Sequence, residues 1–274
     1  MILRYVDAKI LPGYAAVERG TLRGYSFFVY EGSKGVIGDL FALPDNGHTQ
    51  KLETQLVTHV IETLQQSPGI HRIEAQLLVH DAGQVARPFL EEGFQRHPRI
   101  FMTFPLSTPV ANSRQLPAEI EIRPWQEEDY QPSAAVIAAA YRGHIDSEIN
   151  DQYRSLNGSL RFLNNIVRFP GCGVFDMAAS FVARRRSSHQ IVGVLLCSRV
   201  KEDVGHITQV CMVPEMRGLG IGEALIAHTA ANLKKRTFKM LSLTVTEANA
   251  RAVELYRRLG FRSERIFDAF VWEG

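Results

Sequence analysis

Val213-Pro214-Glu215-Met216-Arg217-Gly218-Leu219-Gly220-Ile221-Gly222-Glu223 is the stretch on which the reading of this chain turns. It follows a strand-like run, Gly205-His206-Ile207-Thr208-Gln209-Val210-Cys211-Met212-Val213. It precedes a helical pattern from about Glu223 to Lys235, with Leu225, Ile226, Thr229 and Leu233 on one stripe. Three glycines alternate at this junction. Glycine lets the backbone approach a ligand closely and aim successive N–H groups at it. The helix start adds the positive end of its dipole. The product is an anion cradle suited to a phosphate or diphosphate, and Arg217 can add direct charge pairing. A Walker loop needs Gly-Lys-Ser/Thr after a four-residue gap, which is absent. A dinucleotide fingerprint places its third glycine one position later. The strand from Leu241 to Thr246 also has no acidic residue at its end for a ribose. A glycine turn that only permits close packing is the plain alternative.

Outward from the cradle, strands and helices alternate. A strand from Leu241 to Thr246 is followed by a short helix from about Asn249 to Leu259, which stops at Gly260. The last strand runs from about Arg265 to Trp272. Upstream, Ile120 to Arg123 reads as a strand, and Gln126 to Arg142 and Leu156 to Val167 read as helices. Two strands, Ala179 to Arg184 and Gln190 to Val200, flank a turn in which Arg184, Arg185 and Arg186 read as solvated charges rather than a phosphate patch. The fold class is α/β, with a mixed sheet and one strand–helix–strand unit at its centre.

The first half echoes the second. Phe41-Ala42-Leu43-Pro44-Asp45 parallels Cys211-Met212-Val213-Pro214-Glu215. Leu52, Leu56, Val60, Ile61 and Leu64 give the matching helix stripe, and Ile73 to Val79 the matching strand. Phe89-Leu90-Glu91-Glu92-Gly93-Phe94 matches Tyr256-Arg257-Arg258-Leu259-Gly260-Phe261. Four matches in the same order indicate an internal duplication. The run from Pro105 to Pro117 has three prolines and no period, so it reads as a linker. The expected organisation is residues 1–104, a linker at 105–118, and residues 119–274.

Composition narrows the function. At 274 residues, 45% apolar and 22% charged, the chain has the make-up of an ordinary globular protein of one or two domains. A formal charge of +2 gives no field that attracts nucleic acid, so no nucleic-acid partner is expected. No apolar run reaches the roughly 18 residues that span a bilayer, and Met1 to Tyr14 do not read as a secretory signal. No membrane partner is expected, and a cytoplasmic location is. Cys172, Cys197 and Cys211 cannot all pair and form no C-x-x-C, so neither a disulfide scaffold nor a metal site is expected.

The run from Val213 to Gly222 resembles the diphosphate motif of the GNAT superfamily of acyl-CoA N-acyltransferases: Arg or Gln, two residues, Gly, one residue, Gly or Ala. Arg217, Gly220 and Gly222 satisfy it. Asn249 to Phe261 looks like the superfamily's second signature. The resemblance covers residues 119–274 well and residues 20–104 as a degenerate echo. It implies two tandem GNAT-like folds, the first degenerate, and acetyl-CoA or a related acyl-CoA as co-substrate without a metal. Cys211 would lie beside that co-substrate. Met212 and Val213 would pair with its pantetheine arm, amides from Arg217 through Gly218, Leu219, Gly220, Ile221 and Gly222 to Glu223 would hold its diphosphate, and Asn249 would touch its arm. The strands on either side of the cradle splay apart in this family, and the thioester lies in the gap.

An amine attacking a thioester must be neutral, so a base is useful, and the departing thiolate needs a proton. Tyr256 stands where the family places its general acid; the plain alternative is a packed tyrosine. His206, eleven residues before Arg217, is the candidate base, and Thr208 is expected on the same strand face. Cys211 lacks the sequence partners of a covalent nucleophile. In the first half, Asp45 to Gln50 keeps one glycine and no arginine, Phe89 replaces Tyr256 and Ala82 replaces Asn249. That half is expected to bind no CoA, to lack two leading helices, and to use His59, His71 and His80 in surface or packing roles. The implied activity is acetyl transfer from acetyl-CoA to a primary amine of a small molecule or protein. A non-enzymatic acetyl-CoA sensor or docking protein and a nucleotide-binding module are the alternatives. Glu128, Asp129, Asp146, Glu148 and Asp151, on the expected acceptor side, either attract a cationic amine or form a solvated face. Monomer and homodimer are both open.

Overall fold

The computed structural model describes residues 11–44, 49–110, 115–168 and 173–274. Two units emerge: residues 1–99 with 265–274, and residues 100–264.

In the first unit, β1 (Gly13–Glu18), β2 (Thr21–Glu31) and β3 (Lys34–Ala42) form an antiparallel meander. Helix α1 (Thr49–Gln66) returns the chain to β4 (Arg72–Gln76), which pairs with β3 in parallel over Lys34–Ile37. The helical stripe buries Leu56, Val60, Ile61 and Leu64, while Leu52 is only partly covered. The strand expected to reach Val79 ends at Gln76, and Leu78 and Val79 are exposed. Helix α2 (Ala86–Glu91) sends Phe89 into the core, where it stacks on Phe270 at 4.1 Å. Phe270 belongs to β12 (Arg262–Glu273), the final strand, which pairs with β4 in antiparallel fashion. Among the described residues before β3 there is no helix.

The second unit takes the later part of β5 (Gln95–Pro105) as the neighbour of its parallel pair. Then follow β6 (Ile120–Pro124), α3 (Tyr130–Ala140), α4 (Ile145–Ile149), α5 (Leu156–Val167) and the short β7 (Val174–Phe175). After these come β8 (Phe181–Arg185), β9 (Ile191–Lys201) and β10 (Val204–Met212). Helix α6 (Ile221–Lys235) leads to β11 (Met240–Thr246), and α7 (Ala250–Leu259) precedes the final strand. The sheet order is β5-β11-β10-β9-β8-β6, with β7 on β9. Ile191 to Ser198 of β9 are all buried, as befits a strand covered on both faces. Trp125, Ile137, Leu163, Val194 and Leu196 form the core under α3 and α5. Leu195, Ile207, Leu225, Leu233, Leu241 and Leu259 form the core under α6 and α7.

The sequence-derived boundaries at 104 and 119 differ from these units. The last strand of each half of the sequence contributes residues to the unit built around the other half. The start of the proline-rich run is also packed: Leu106 is buried and its amide donates to the Lys239 carbonyl at 2.9 Å. Residues 111–114 of that run, the first-half loop 45–48 and Cys172 lie outside the described residues.

Two outcomes follow from the placement of Phe270. Phe270→Ala should lower unfolding free energy in denaturant titration by about 3–5 kcal/mol, the usual loss for a buried Phe. A chain ending at Glu264 should expose β4 and the α1 face, which rapid proteolysis within residues 11–99 would report.

Candidate active site

The site begins where two strands part. β10 and β11 pair in parallel only at Val204–Ile207 with Met240–Leu243, then continue to Met212 and Thr246. β10 remains paired with β9 as far as Met212. Its other edge therefore faces an opening from Thr208 onward. The Val213 N–H donates to the Val192 carbonyl at 2.9 Å. Of the two residues expected to offer backbone groups to a ligand arm, Met212 alone presents its amide edge to the opening.

The glycine-rich turn closes one end of it. Pro214–Met216 is a tight 3₁₀ turn, and Gly218 and Gly220 adopt φ of +80° and +79°. Helix α6 starts at Ile221, two residues earlier than its apolar stripe suggests. Its first backbone hydrogen bond runs from Ala224 N–H to the Gly220 carbonyl at 3.1 Å. Among the described residues, the N–H groups of Leu219, Gly220, Ile221 and Gly222 make no hydrogen bond. A Cβ on Gly222 would meet Met212 Cε at 3.0 Å, so the backbone here is open only because no side chain fills it.

Charges around this turn are arranged differently from the sequence expectation. The Arg217 guanidinium donates to the Ala140 carbonyl at the end of α3. It ties the turn to that helix rather than pointing into the cradle. Arg251 of α7 instead stands over the turn, its Nη2 3.3 Å from where a Gly218 Cβ would be. It is exposed and makes no ion pair among the described residues. Glu223, in the first turn of α6, would oppose an anion. It is buried and paired with Arg258 at 2.6 and 3.2 Å, which cancels its charge.

Inside the opening, Tyr256 is nearly buried, and its side chain makes no hydrogen bond among the described residues. Burial, reinforced by the Asp146 carboxylate and the Cys211 sulfur, raises its phenol well above the usual range. It is therefore neutral at any physiological pH. Asp146 accepts a hydrogen bond from Thr246 Oγ1 at the free end of β11. Its other oxygen lies 3.5 Å from His144 Nδ1. Asn249 caps α7 through Oδ1 on the Ala252 amide and places Nδ2 3.3 Å from His144 Nε2. Tyr141 donates to Gln209 Oε1 at 3.3 Å, and burial raises its phenol too.

Cys211 is buried, and burial pushes its thiol up to about 12; Cys197 behaves in the same way. A thiol so protonated is a poor nucleophile. His206 lies on the paired stretch: its Nδ1 is 2.9 Å from Ser242 Oγ and its ring stacks on Phe101. The register of β10 against β9 shifts between Ile207 and Gln209, which breaks the alternation that put Thr208 beside His206. Thr208 Oγ1 donates to the Leu196 carbonyl at 3.1 Å. Of the five acidic side chains on the expected acceptor side, Asp129 is locked to Arg123 by two 2.7 Å bonds and Glu148 pairs with Arg154. Asp146 is the one set beside Tyr256. In the first unit, His80 Nε2 is 2.9 Å from the Leu40 carbonyl, a packing role, and His59 is exposed beside Glu62.

Residues 148–261 match the Acetyltransferase (GNAT) family. A mycothiol acetyltransferase of Thermobispora bispora is 30% identical over 165 residues, which is 58% of this chain and 52% of that protein. An uncharacterised N-acetyltransferase of Methanocaldococcus jannaschii is 38% identical over 71 residues, 26% of this chain and 31% of that protein. The chain thus spans from about a third to half of the length of these curated relatives. The structure of a GCN5-related N-acetyltransferase from Sphaerobacter thermophilus superposes with a TM-score of 0.66 at 17% identity, covering 93% of this chain and 78% of that one. A tandem GNAT protein from the clavulanic acid biosynthesis pathway gives 0.62 at 14% identity, covering 96% and 82%. The structural likenesses establish the fold, and the family match falls in the C-terminal half of the chain.

Burial makes a direct statement about thiol chemistry. At pH 8, with a thiol near 12, roughly one Cys211 in ten thousand is ionised. Peptide mapping after iodoacetamide treatment should find Cys197 and Cys211 unmodified in the native chain and modified after denaturation.

Proposed function

We propose that the chain is an N-acetyltransferase that moves an acetyl group from acetyl-CoA to a primary amine by direct attack, using its C-terminal half. The observation that carries this reading is the row of unbonded amides from Leu219 to Gly222 at the start of a 15-residue helix, set beside the parting of β10 and β11. Such amides suit a diphosphate, and Arg251, exposed beside Gly218, can add positive charge. The Met212 backbone edge suits an amide-bearing arm laid along the opening. These features fit coenzyme A.

In this reading Tyr256 is the group that gives the departing thiolate its proton. Its buried, neutral hydroxyl can donate to sulfur without first having to be protonated. Cys211 remains a packing residue beside the opening, and no covalent acyl-enzyme is needed. The first half is read as a degenerate copy without CoA binding: Phe89, stacked on Phe270, has no hydroxyl, and Ala82 has no side-chain amide.

Two measurements test this. Calorimetry should show acetyl-CoA binding to the full chain, weakened at least tenfold by Gly222→Val, whose side chain would be driven into Met212. Tyr256→Phe should bind acetyl-CoA normally yet lose about 100-fold in CoA release with an amine. Because the Tyr256 pKa is raised, the loss should be parallel across pH 6–9, with no alkaline limb attributable to its ionisation. A chain that ignores acetyl-CoA at millimolar concentration refutes the reading.

A further inference from the structure

We propose that the Asp146 carboxylate receives the acceptor's ammonium group at Oδ2 and takes from it the proton that must leave before attack. This rests on the acetyl transfer proposed above. The sequence favours His206 as the base, but that residue stands elsewhere. His206 and Ser242 are register partners in the paired stretch of β10 and β11, their side chains bond at 2.9 Å, and Phe101 stacks on the ring. That position is behind the point where the strands separate.

Asp146 lies where they have separated. Thr246, the last residue of β11, donates its hydroxyl to Asp146 Oδ1. Tyr141, at the end of α3, donates to Gln209, two residues beyond Ile207, the last β10 residue paired with β11. The charge of Asp146 helps to raise both the Tyr141 and the Tyr256 phenols. The carboxylate is thus close to the free ends of both strands and to the group proposed to protonate sulfur.

One oxygen of this carboxylate is uncommitted. Its basic neighbour is His144, whose Nδ1 is 3.5 Å from Oδ2. That nitrogen accepts the Asp146 backbone N–H at 3.1 Å, so it carries a lone pair. The ring proton is then on Nε2, which the Asn249 side-chain amide covers at 3.3 Å. No ring hydrogen points at Oδ2. Among the described residues no lysine or arginine pairs with Asp146, and Oδ2 makes no hydrogen bond. The side chain is only 15% exposed. Carboxylates so covered ordinarily have donors on both oxygens, and a primary ammonium offers three. The Tyr256 hydroxyl, also without a partner among the described residues, supplies a neutral donor beside this anionic acceptor.

In water the transfer is uphill, since an alkylammonium titrates at about 10.4 and an aspartate at about 3.9. Covering the pair penalises both charges, and transfer leaves two neutral groups, so the gap narrows. The protons balance as follows. The acceptor ammonium gives one proton to Asp146 Oδ2, and the neutral amine forms its bond to the thioester carbon. The carbon–sulfur bond breaks, its electron pair goes to sulfur, and sulfur takes the Tyr256 proton. The nitrogen's second proton is passed through water to Tyr256, and Asp146 returns the first to water. One proton is released per amide formed.

The experiment uses the full chain and acetyl-CoA, with released CoA thiol as the readout. Of an amino sugar, a polyamine and an aminoacyl amide, the one with the fastest turnover serves as the cationic acceptor. Hydroxylamine, already uncharged in neutral buffer, serves as the acceptor that needs no proton removed before attack. Asp146→Asn should lower kcat/KM for the cationic amine about 100-fold or more, and for hydroxylamine less than about fivefold. Calorimetric binding of acetyl-CoA should stay within about threefold of wild type. A merely structural loss would slow both acceptors alike. Asp146→Ala should regain turnover of the cationic amine on addition of formate, and His206→Gln should leave the ratio between the two acceptors as in wild type. The assignment is overturned if Asp146→Asn slows both acceptors equally or neither, if formate restores nothing, or if the ratio changes with His206→Gln instead. A wild-type chain that binds acetyl-CoA yet releases no CoA with any amine overturns the transfer reading and, with it, this one.

Discussion

The early separation of β10 from β11 governs the chemistry of the second unit. Two parallel strands joined for only four residue pairs leave backbone edges that must find other partners. At the β11 end the side-chain hydroxyl of Thr246 donates to the Asp146 carboxylate. The β10 edge keeps its polar groups directed into the opening, where an extended ligand can take the place of a strand. The glycine turn and the start of α6 lie directly beyond β10, so the same separation brings a row of amides to one mouth of the cleft.

Electrostatics around this opening follow one rule: charges that would repel an anion are cancelled, and groups that must keep a proton are buried. Glu223 is neutralised by Arg258. Tyr256, Tyr141 and Cys211 all have their ionisation suppressed by loss of water. Asp146, whose carboxylate helps to raise the Tyr256 phenol, has a hydroxyl and an imidazole as neighbours.

The cradle is legible in the sequence because every residue that forms it is contiguous, from Pro214 to Glu223. The helix α7 with its asparagine cap and glycine stop is legible for the same reason. The interior cluster is not, because His144 and Asn249 are 105 residues apart and Asp146 and Thr246 are 100 apart. His144 sits in a turn whose local pattern shows only a polar break between helices. The side-chain direction of Arg217 is equally hidden, since its partner is a backbone carbonyl 77 residues away. The role of Thr208 is misread because strand alternation assumes an unbroken ladder, and a bulge resets it. The expected repeat rests on matched prolines and glycines, whereas the assignment of the last strands to the two units depends on pairing that no local pattern records.

That assignment of last strands bears on how the chain can be divided. A fragment made from residues 119–274 would carry the cradle, the phenol and the histidines, yet it would lack the segment 100–105 that belongs to its own unit and would trail ten residues, 265–274, that belong elsewhere. The reciprocal fragment would be one strand short. Dissecting the chain to ask what each unit does alone therefore calls for a permuted chain, with the borrowed strands restored by new connections, rather than for a cut at the proline-rich segment.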